Sequence, residues 1–177
     1  MTPKHHIVFL TGAGISQESG ISTFRDANGL WNNHKLEEVA SPEGFEKNPQ
    51  LVLDFYNARR RQLDEVEPNE AHHLIAQLET KYNVTVITQN IDDLHERAGS
   101  TNVLHLHGEL RKCRSSKNPN LIYTCTQDIK LGDLASDGNQ LRPHIVWFGE
   151  AVTEIEKAIA ITQSADLFVI VGTSMVV

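Results

Sequence analysis

Glycine and polar residues follow four short apolar runs in this chain, and their types could support chemistry. They are Gly12-Ala13-Gly14 after HIVFLT, Gln89-Asn90-Ile91-Asp92 after VTVIT, His107-Gly108 after NVLHL, and Gly172-Thr173-Ser174 after LFVIV. Each group alone is ordinary turn chemistry, because Gly, Asn, Asp and Ser are common in loops. In a parallel sheet, however, ligands bind beyond the carboxyl ends of the strands. The four groups together therefore predict one ligand site at a single edge of a sheet.

The first group favours a dinucleotide phosphate site. Gly12 and Gly14 would let backbone N–H groups approach a pyrophosphate at a helix N-terminus, where the helix dipole favours negative charge. The usual fingerprint is incomplete, because Gln17 stands where its third glycine is expected. The fingerprint also needs an acidic residue at the end of a second strand, about 20 residues after the glycines. Glu37 and Glu38 lie near that distance but follow no predicted strand. An NAD(P)-dependent oxidoreductase is an alternative that both departures disfavour.

Two histidines interrupt the run VLHLH. Strand alternation places Leu104 and Leu106 on one face and Val103, His105 and His107 on the other. We interpret His105 as a structural histidine that hydrogen-bonds to backbone. His107, at the predicted strand end, is better placed to act as a general base, since imidazole titrates near neutral pH.

The elements that must position these residues alternate between strands and helices. Nearly continuous apolar runs predict buried parallel strands at HIVFLT, at 84–88 and at 167–171, with a fourth candidate at 102–108. Helical patterns cover 49–64, 69–80, 91–98 and 153–163. This alternation predicts an α/β fold, a Rossmann-like doubly wound parallel sheet. Residues 1–110 and 143–177 would form this large domain, and the polar stretch 111–142, with LIYTCT as a possible strand, a small inserted module.

Length and composition limit the classes of function. The 177 residues, 40% of them hydrophobic, are enough for one compact core. A net charge of -7 argues against nucleic-acid and anionic-membrane partners. No apolar run approaches the roughly 20 residues of a membrane helix. With two cysteines and no signal-peptide pattern, we expect a cytoplasmic protein.

Six motifs in order resemble the sirtuin family of NAD-dependent protein deacylases. They are GAGIS, FRDANGLW, TQNIDDLHERAG, HLHGEL, RPHIVWFGE and GTSMVV, and the similarity runs from Ile7 to Ser174. The resemblance implies that NAD is the cofactor and that acyl-lysine proteins or peptides are the partners. In that family the acyl oxygen attacks C1′ of the nicotinamide ribose, and the products are nicotinamide, lysine and 2′-O-acyl-ADP-ribose.

The resemblance also implies roles for individual residues. His107 would accept the proton, with Asn90 beside it as the second catalytic residue. The pyrophosphate of the cofactor would be bound by Gly12, Ala13, Gly14, Ile15 and Ser16, and its phosphate and adenosine half by Gly172, Thr173 and Ser174. Gln89 and Asn90 would bind the ribose, and Ile91 and Asp92 the carboxamide. A loop with Phe24, Arg25 and Trp31 would cover the cofactor.

The substrate would lie along RPHIVWFGE, whose Val146, Trp147 and Phe148 would flank an acyl-lysine tunnel. These apolar residues could equally form a core strand. Tyr56 and Arg59 lie three residues apart on a predicted helix and so share a face. A solvated basic helix is the ordinary interpretation of that segment. The pair nevertheless resembles the sirtuin branch that accepts acidic acyl groups such as succinyl, and Ala27 matches its small residue.

Two features depart from the family pattern. Most sirtuins hold a structural zinc with two C-x-x-C pairs, whereas this chain has only Cys113 and Cys125. We therefore expect zinc to be absent and both thiols to be inert packing residues. Sirtuins also usually continue past GTS with further strands and helices, so we expect a C-terminally shortened chain. A non-catalytic NAD or ADP-ribose binding module remains a second alternative.

Overall fold

The computed structural model describes residues 5–21, 30–31 and 34–175. The strands, in chain order, are β1 (His6–Thr11), β2 (Leu30–Trp31), β3 (His34–Lys35), β4 (Asn83–Thr88), β5 (Val103–His105), β6 (Gly108–Ser115), β7 (Ile122–Thr124), β8 (Leu141–Ile145) and β9 (Leu167–Val171). The α-helices are α1 (Leu36–Val39), α2 (Pro42–Lys47), α3 (Pro49–Gln62), α4 (Glu70–Leu78), α5 (Leu94–Arg97) and α6 (Ile155–Gln163), and a 3₁₀ helix covers Ala13–Ser19.

Three helices begin where the sequence provides a side-chain cap. Ser41 accepts a hydrogen bond from the Gly44 N–H, and Asn48 accepts one from the Leu51 N–H. Asn69 does the same for the Ala71 N–H at the start of α4. Such caps satisfy backbone donors that have no partner inside the helix. The Asn48 cap fixes the start of α3, which carries Tyr56 and Arg59.

The chain divides into two compact units. The first contains the described residues of 1–23, 66–107 and 152–177, and the second those of 24–65 and 108–151. The predicted module, 111–142, lies inside the second unit, which also includes the segment 24–65 that the sequence analysis placed in the large domain. That segment carries α3, which is tied to the inserted strands because the Arg60 guanidinium donates to the Leu110 carbonyl at 2.8 Å.

The first unit is built on a four-stranded parallel sheet in the order β5-β4-β1-β9. Apolar side chains of β1 and β4 pack on both faces. Ile7, Phe9, Val84 and Val86 pack with Ile75 of α4, and Val8, Ile87 and Leu104 pack with Ala158 of α6. Helices on both faces of a parallel sheet define the doubly wound α/β fold, so the predicted fold class is confirmed.

The order of the strands locates a ligand crevice in this unit. The chain runs from β1 to β4 and β5 on one side and returns to β9 on the other side of β1. In such sheets the crevice lies where the strand order reverses, outside the carboxyl ends of the strands. Here that point lies between the ends of β1 and β9, where the two glycine groups are found.

One expectation about β9 was wrong. The run LFVIV predicts a buried strand, yet Leu167, Phe168 and Ile170 are exposed. Among the described residues β9 pairs only with β1, so it lies at the edge of the described sheet, and side chains on both of its faces are exposed. Continuous apolar sequence could not distinguish an edge from a central strand.

The second unit contains a three-stranded antiparallel sheet in the order β7-β6-β8 together with α1, α2 and α3. Its core cluster consists of Leu53, Cys113 and Ile129. Asn57 of α3 exchanges two hydrogen bonds with the backbone of Ile129, at 2.8 and 2.9 Å. None of the helices within the described residues is long and apolar enough to cross a membrane.

Candidate active site

The loops after β1 and β9 are in direct backbone contact. The Gly12 N–H donates to the Val171 carbonyl at 3.1 Å, and the Gly14 N–H donates to the Gly172 carbonyl at 2.8 Å. A Cβ atom on Gly14 would lie 2.8 Å from that carbonyl, and one on Gly172 would lie 2.3 Å from the Ile15 nitrogen. Gly172 also has a φ of 67°, which L side chains rarely adopt. Glycine is therefore required here for close approach of two chain segments.

The Gly12 and Gly14 N–H groups donate to the carbonyls of Val171 and Gly172. The predicted role of these two glycines, to let backbone N–H groups approach a pyrophosphate, stays a prediction. Their lack of side chains shapes the crevice, and the two N–H groups themselves are already used. Around them, Ala13 and Thr173 are partly exposed, Ser174 is exposed and Ile15 is buried.

Gln89 connects three strand ends. Its N–H donates to the Thr11 carbonyl at 2.9 Å, which extends the pairing of β4 with β1. Its side-chain Oε1 accepts a hydrogen bond from the Thr173 hydroxyl at 2.8 Å. Its carbonyl faces Nδ1 of His107 at 2.9 Å. One residue therefore fixes the positions of the β9 loop and the candidate base.

Ser16, Asn90 and Asp92 form a buried polar cluster beside this point. The Ser16 hydroxyl donates to Oδ2 of Asp92 at 2.9 Å and accepts from the Asn90 amide at 3.0 Å. Burial raises the pKa of the Asp92 carboxyl, while the Ser16 hydroxyl and the Leu94 N–H act in the opposite direction. Ile91, between the two, is partly exposed. A buried carboxylate and an amide held at fixed positions can recognise another amide or a hydroxyl by hydrogen bonds.

His107 is held in one tautomer. A carbonyl can only accept, so Nδ1 carries the proton that is donated to Gln89, and Nε2 keeps its lone pair. Nε2 has no hydrogen-bond partner within the part of the chain that is described. Burial lowers the pKa of His107, and the Gln89 carbonyl opposes that shift. The imidazole is therefore neutral near pH 7 and able to accept a proton.

His105 makes different contacts. Its Nδ1 lies 2.9 Å from the Asn90 carbonyl and its Nε2 lies 2.8 Å from the Glu96 carboxylate. Both ring nitrogens are thus engaged with protein groups, as expected of a structural histidine.

Sequence reasoning missed the residues that support Asn90. The Asn90 N–H donates to the Thr88 hydroxyl at 3.0 Å, and Thr88 accepts from Thr11 at 2.9 Å. Thr11 in turn lies 3.0 Å from Nε2 of the buried His95. Threonines inside a β-branched run look like ordinary strand residues, and a histidine on a short helix gives no sequence signal of burial.

The residues predicted to contact substrate lie in the second unit. Tyr56 and Trp147 are buried at 0% and 2% exposure, and the Trp147 indole N–H donates to the Tyr56 hydroxyl at 3.0 Å. The Arg142 guanidinium lies 3.2 Å from the centre of the Trp147 ring and bonds to Glu150. Phe148 is half exposed, and Val146 is partly exposed. Trp147 is therefore a clamped core residue, whereas its two neighbours reach solvent.

Arg59 is partly buried on the same helix as Tyr56. Its guanidinium carbon lies 5.4 Å from the centre of the Phe55 ring, a cation–π contact. Its Nε is buried and has no hydrogen-bond partner among the described residues. Burial lowers the pKa of this guanidinium. A partly desolvated cation with an unused donor is suited to bind an anionic group.

Some predicted site residues are not described. Phe24, Arg25 and Ala27 lie outside the described ranges, and of Trp31 only the backbone, in β2, is described. The predicted roles of these four residues remain predictions.

Known proteins with similar sequences and structures give a consistent result. A family model described as the Sir2 family matches residues 12–177. An NAD-dependent protein deacylase of Helicobacter pylori is 62% identical over 170 residues, which are 96% of this chain and 74% of that protein. Another of Bacteroides thetaiotaomicron is 59% identical over 176 residues, 96% of this chain and 75% of that protein.

Two solved structures extend the comparison. The crystal structure of a Sir2 homologue in complex with NAD has 42% sequence identity and a TM-score of 0.87, covering 98% of this chain and 70% of that one. A Sir2 mutant with a p53 peptide and NAD has 32% identity and a TM-score of 0.77, covering 98% of this chain and 73% of that one.

Proposed function

The chain belongs to the Sir2 family, and from this we propose that it is an NAD-dependent protein deacylase that removes acetyl and succinyl groups from lysine side chains. The products would be nicotinamide and 2′-O-acyl-ADP-ribose. The relatives named NAD-dependent protein deacylase and the NAD complex of a Sir2 homologue support the reaction class and the cofactor. The p53 peptide complex of a Sir2 mutant supports a peptide substrate.

The observation that carries this proposal is the position of Gln89. It holds the base His107 through its carbonyl and the β9 loop through its side chain. A base and a glycine loop at the switch point of the sheet are thereby fixed by one residue. This arrangement suits a dinucleotide whose ribose must react next to a proton acceptor.

The buried polar cluster fits the nicotinamide end of NAD. Asp92 can accept from a carboxamide N–H, and Asn90 can hold a ribose hydroxyl, while Ser16 keeps both side chains in place. Bound NAD supplies an electrophilic ribose carbon and a leaving group, so the protein needs no nucleophile of its own. Its share is to orient the reactants and to exclude water.

His107 would take the proton from the ribose hydroxyls. Its Nδ1–H is committed to Gln89, so Nε2 is the atom that accepts. Because burial lowers its pKa, the neutral form is already populated at physiological pH. Asn90, positioned by Thr88, would orient the hydroxyl that gives up the proton.

The decisive experiment incubates the 177-residue chain with NAD and acetyl- and succinyl-lysine peptides and identifies the products by mass spectrometry. We expect nicotinamide and 2′-O-acyl-ADP-ribose in equal amounts with deacylated peptide. A binding module would release no nicotinamide. An oxidoreductase would form or consume NADH without changing the peptide. Either result would overturn the proposal.

The role of His107 is tested by His107→Ala. We expect NAD binding to stay close to wild type, because the base acts after the cofactor is captured, while deacylation falls by at least about 10²–10⁴-fold. His73→Gln, on α4, is the matched control and should keep full activity. Near-native turnover of His107→Ala would make His107 a structural residue.

The choice of acyl group would depend on Arg59 and Tyr56. A succinyl group ends in a carboxylate, and the buried, unpartnered Nε of Arg59 is a donor for such a group. Tyr56 lies one turn away with its hydroxyl fixed by Trp147. A hydrogen bond to a charged group contributes roughly 1.5–3 kcal/mol.

Arg59→Met should therefore lower kcat/KM for succinyl peptides by about ten- to a hundredfold, since each 1.4 kcal/mol is about tenfold. Deacetylation should change little, because an acetyl group has no carboxylate. Arg61→Met removes a cation from the same helix that is paired with Asp128 at the surface, and it should alter neither activity. Equal losses on both peptides in Arg59→Met would exclude Arg59 as the carboxylate reader.

A further inference from the structure

The two cysteines of the chain are neighbours in the antiparallel sheet. Cys113 of β6 pairs with Tyr123 of β7, and Lys112 pairs with Thr124. The Cys125 N–H donates to the Arg111 carbonyl at 2.7 Å, so the ladder continues one residue past β7. In this register Cys113 and Cys125 lie diagonally opposite each other on the same face. Both pack with the apolar cluster that includes Leu53, and they are free thiols.

The two thiols differ in access to solvent. Cys113 is 2% exposed, whereas Cys125 is partly exposed. The Cys125 thiol donates to the Gln127 carbonyl at 3.4 Å. When a solvent-facing thiol lies beside a buried one, a small oxidant can reach the solvent-facing thiol first. The buried thiol can then attack the oxidised sulfur.

Arg60 places a positive charge next to this pair. Its side chain is 1% exposed, and it donates from Nε to the Leu110 carbonyl and from Nη1 to Asn57. Its Nη2 is buried and has no hydrogen-bond partner in the described part of the chain. The charge interacts with both thiols. A buried guanidinium with an unused donor favours a neighbouring anion, and both thiols lie near it together with the carboxylate of Asp128.

The electrostatics favour ionisation of the outer thiol. The Cys113 thiol lowers the pKa of Cys125 to about 7, and Arg60 acts in the same direction. Burial and the carboxylates of Asp128 and Asp133 oppose this shift. The hydrogen bond between the two thiols, together with burial, raises the pKa of Cys113. Cys125, which is also the thiol with access to solvent, is therefore the one that ionises more readily.

We propose that Cys113 and Cys125 form a redox-active dithiol, a modification site of the second unit that is separate from the NAD chemistry. Hydrogen peroxide oxidises the Cys125 thiolate to a sulfenic acid and is itself reduced to hydroxide. The Cys113 thiol then attacks the sulfenic sulfur, a disulfide forms, and the oxygen leaves as water. This proposal gives the two thiols a role other than the inert packing expected from the sequence.

The backbone permits the bond after a small movement. Diagonal neighbours in a sheet have Cα atoms about 7–8 Å apart, and a disulfide needs about 7 Å or less, so a shift on the order of 1 Å is required. Cys125 lies just beyond the last residue of β7. Its movement therefore disturbs at most its hydrogen bond to Arg111 and leaves the three residue pairs of β6 and β7 in place.

The test treats the reduced 177-residue chain with two equivalents of hydrogen peroxide, labels free thiols with N-ethylmaleimide and measures the intact mass without reductant. We expect a monomer that has lost two hydrogen atoms and takes no label, and that takes two labels again after dithiothreitol. Two labels after peroxide, a stable sulfenic acid in the wild type, or a covalent dimer would each overturn the proposal.

Single variants separate the two roles. In Cys113→Ser we expect a sulfenic acid at Cys125 that dimedone traps, and in Cys125→Ser we expect Cys113 to stay unmodified. Oxidation of Cys113 in Cys125→Ser at the wild-type rate would contradict the assignment.

Arg60→Met, compared with Lys157→Met at an exposed position of α6 in the other unit, tests the charge. At a pH below the pKa, raising the pKa of Cys125 by one unit lowers the fraction of thiolate about tenfold. Alkylation of Cys125 by iodoacetamide at pH 6 should therefore slow about tenfold in Arg60→Met alone. An unchanged rate would remove Arg60 from the site. If Arg60→Met does not fold, titration of the wild-type thiolate absorbance replaces it. A midpoint near 7 supports the proposal, and one above 8.5, the ordinary cysteine value, contradicts it.

Discussion

At the scale of single residues, His72 and His95 form a buried pair beside the glycine loop. They are 0% and 1% exposed, and their ring centres are 4.9 Å apart. Nε2 of His72 and Nδ1 of His95 are buried without hydrogen-bond partners among the residues described. Burial lowers the pKa of His72 to about 4 and that of His95 to about 3, and their neighbouring histidines add to both shifts. Both rings are therefore held neutral by the fold.

This pair predicts a loss of stability in weak acid. A histidine in the unfolded chain has a pKa near 6.5. Between about pH 6.5 and pH 4 the unfolded chain therefore binds protons at these two histidines that the folded chain does not bind. The free energy of unfolding should fall as the pH is lowered through that window, by up to about 1.4 kcal/mol per pH unit for each histidine. Denaturant unfolding at pH 7.5, 6 and 5 measures this slope. His95→Asn should flatten it strongly, whereas His73→Gln, which removes only a neighbour that adds to the shift of His72, should flatten it much less. Equal slopes in all three proteins would contradict the argument.

At the scale of elements, the crossing of the β1 and β9 loops depends on the absence of side chains. Gly172→Ala places a methyl group 2.3 Å from the Ile15 nitrogen and also strains a φ of 67°. Gly132 offers a matched control, because its φ is 96° but nothing lies within 4 Å of an added Cβ. Comparing the two variants separates the effect of backbone strain from that of close approach.

We expect both alanine variants to lose stability, since a left-handed conformation costs a non-glycine residue roughly 1–2 kcal/mol. Only Gly172→Ala should push the two loops apart and weaken NAD binding, by about tenfold or more, as one hydrogen bond of about 1.4 kcal/mol corresponds to tenfold. Calorimetric titration with NAD measures the affinity and denaturant unfolding the stability. Native NAD affinity in Gly172→Ala would show that the loop contact does not shape the cofactor site.

Sequence patterns predicted the elements whose signals are local. The apolar runs of β1 and β4 and the helices α3, α4 and α6 were found within a few residues. The charged strand β6 was missed, because GELRKCRS has little β-propensity and its pairing with β7 and β8 is decided by distant segments. The place of β9 at an edge, and the packing of α3 on the inserted strands, likewise depend on contacts between residues far apart in the chain.

The candidate site, like the fold, could be predicted from the sequence only in part. The residue types at strand ends pointed to Gln89, Asn90, Asp92 and His107, because topology alone brings strand ends to one edge. The hydrogen bond between Gln89 and His107 could not be predicted, since it depends on the register of β4 and β5. The interior position of His95 depends on tertiary packing in the same way and left no pattern in the sequence.

At the scale of the whole molecule, this chain spans about three quarters of the length of the deacylases it resembles, 74% and 75% for the two relatives compared. Its net charge is -7, and two arginines of the second unit, Arg114 and Arg142, are both paired with Glu150. These two charges are thus partly neutralised by a specific ion-pair network. We expect peptide substrates to be selected by the acyl group and the local contacts near it.

The second unit contains the region where most sirtuins hold their structural zinc. A structural zinc site requires four ligands, and the whole chain has two cysteines. Within the described residues no group of three or more His, Cys, Asp or Glu side chains is placed to hold a metal ion. The core of Leu53, Cys113 and Ile129, with the buried Arg60 tied to Leu110, provides packing and a hydrogen bond that stabilise the inserted sheet.

We therefore predict that the purified chain contains no stoichiometric zinc and that a chelator leaves its melting temperature unchanged. Elemental analysis after gel filtration, with melting curves recorded with and without EDTA, tests both statements. Thiol labelling adds an independent readout, because cysteines bound to zinc react slowly, whereas Cys125 as a free thiolate should be labelled by N-ethylmaleimide at once. One zinc per chain, lost together with stability on chelation, would show that the two thiols recruit other ligands and would overturn the prediction.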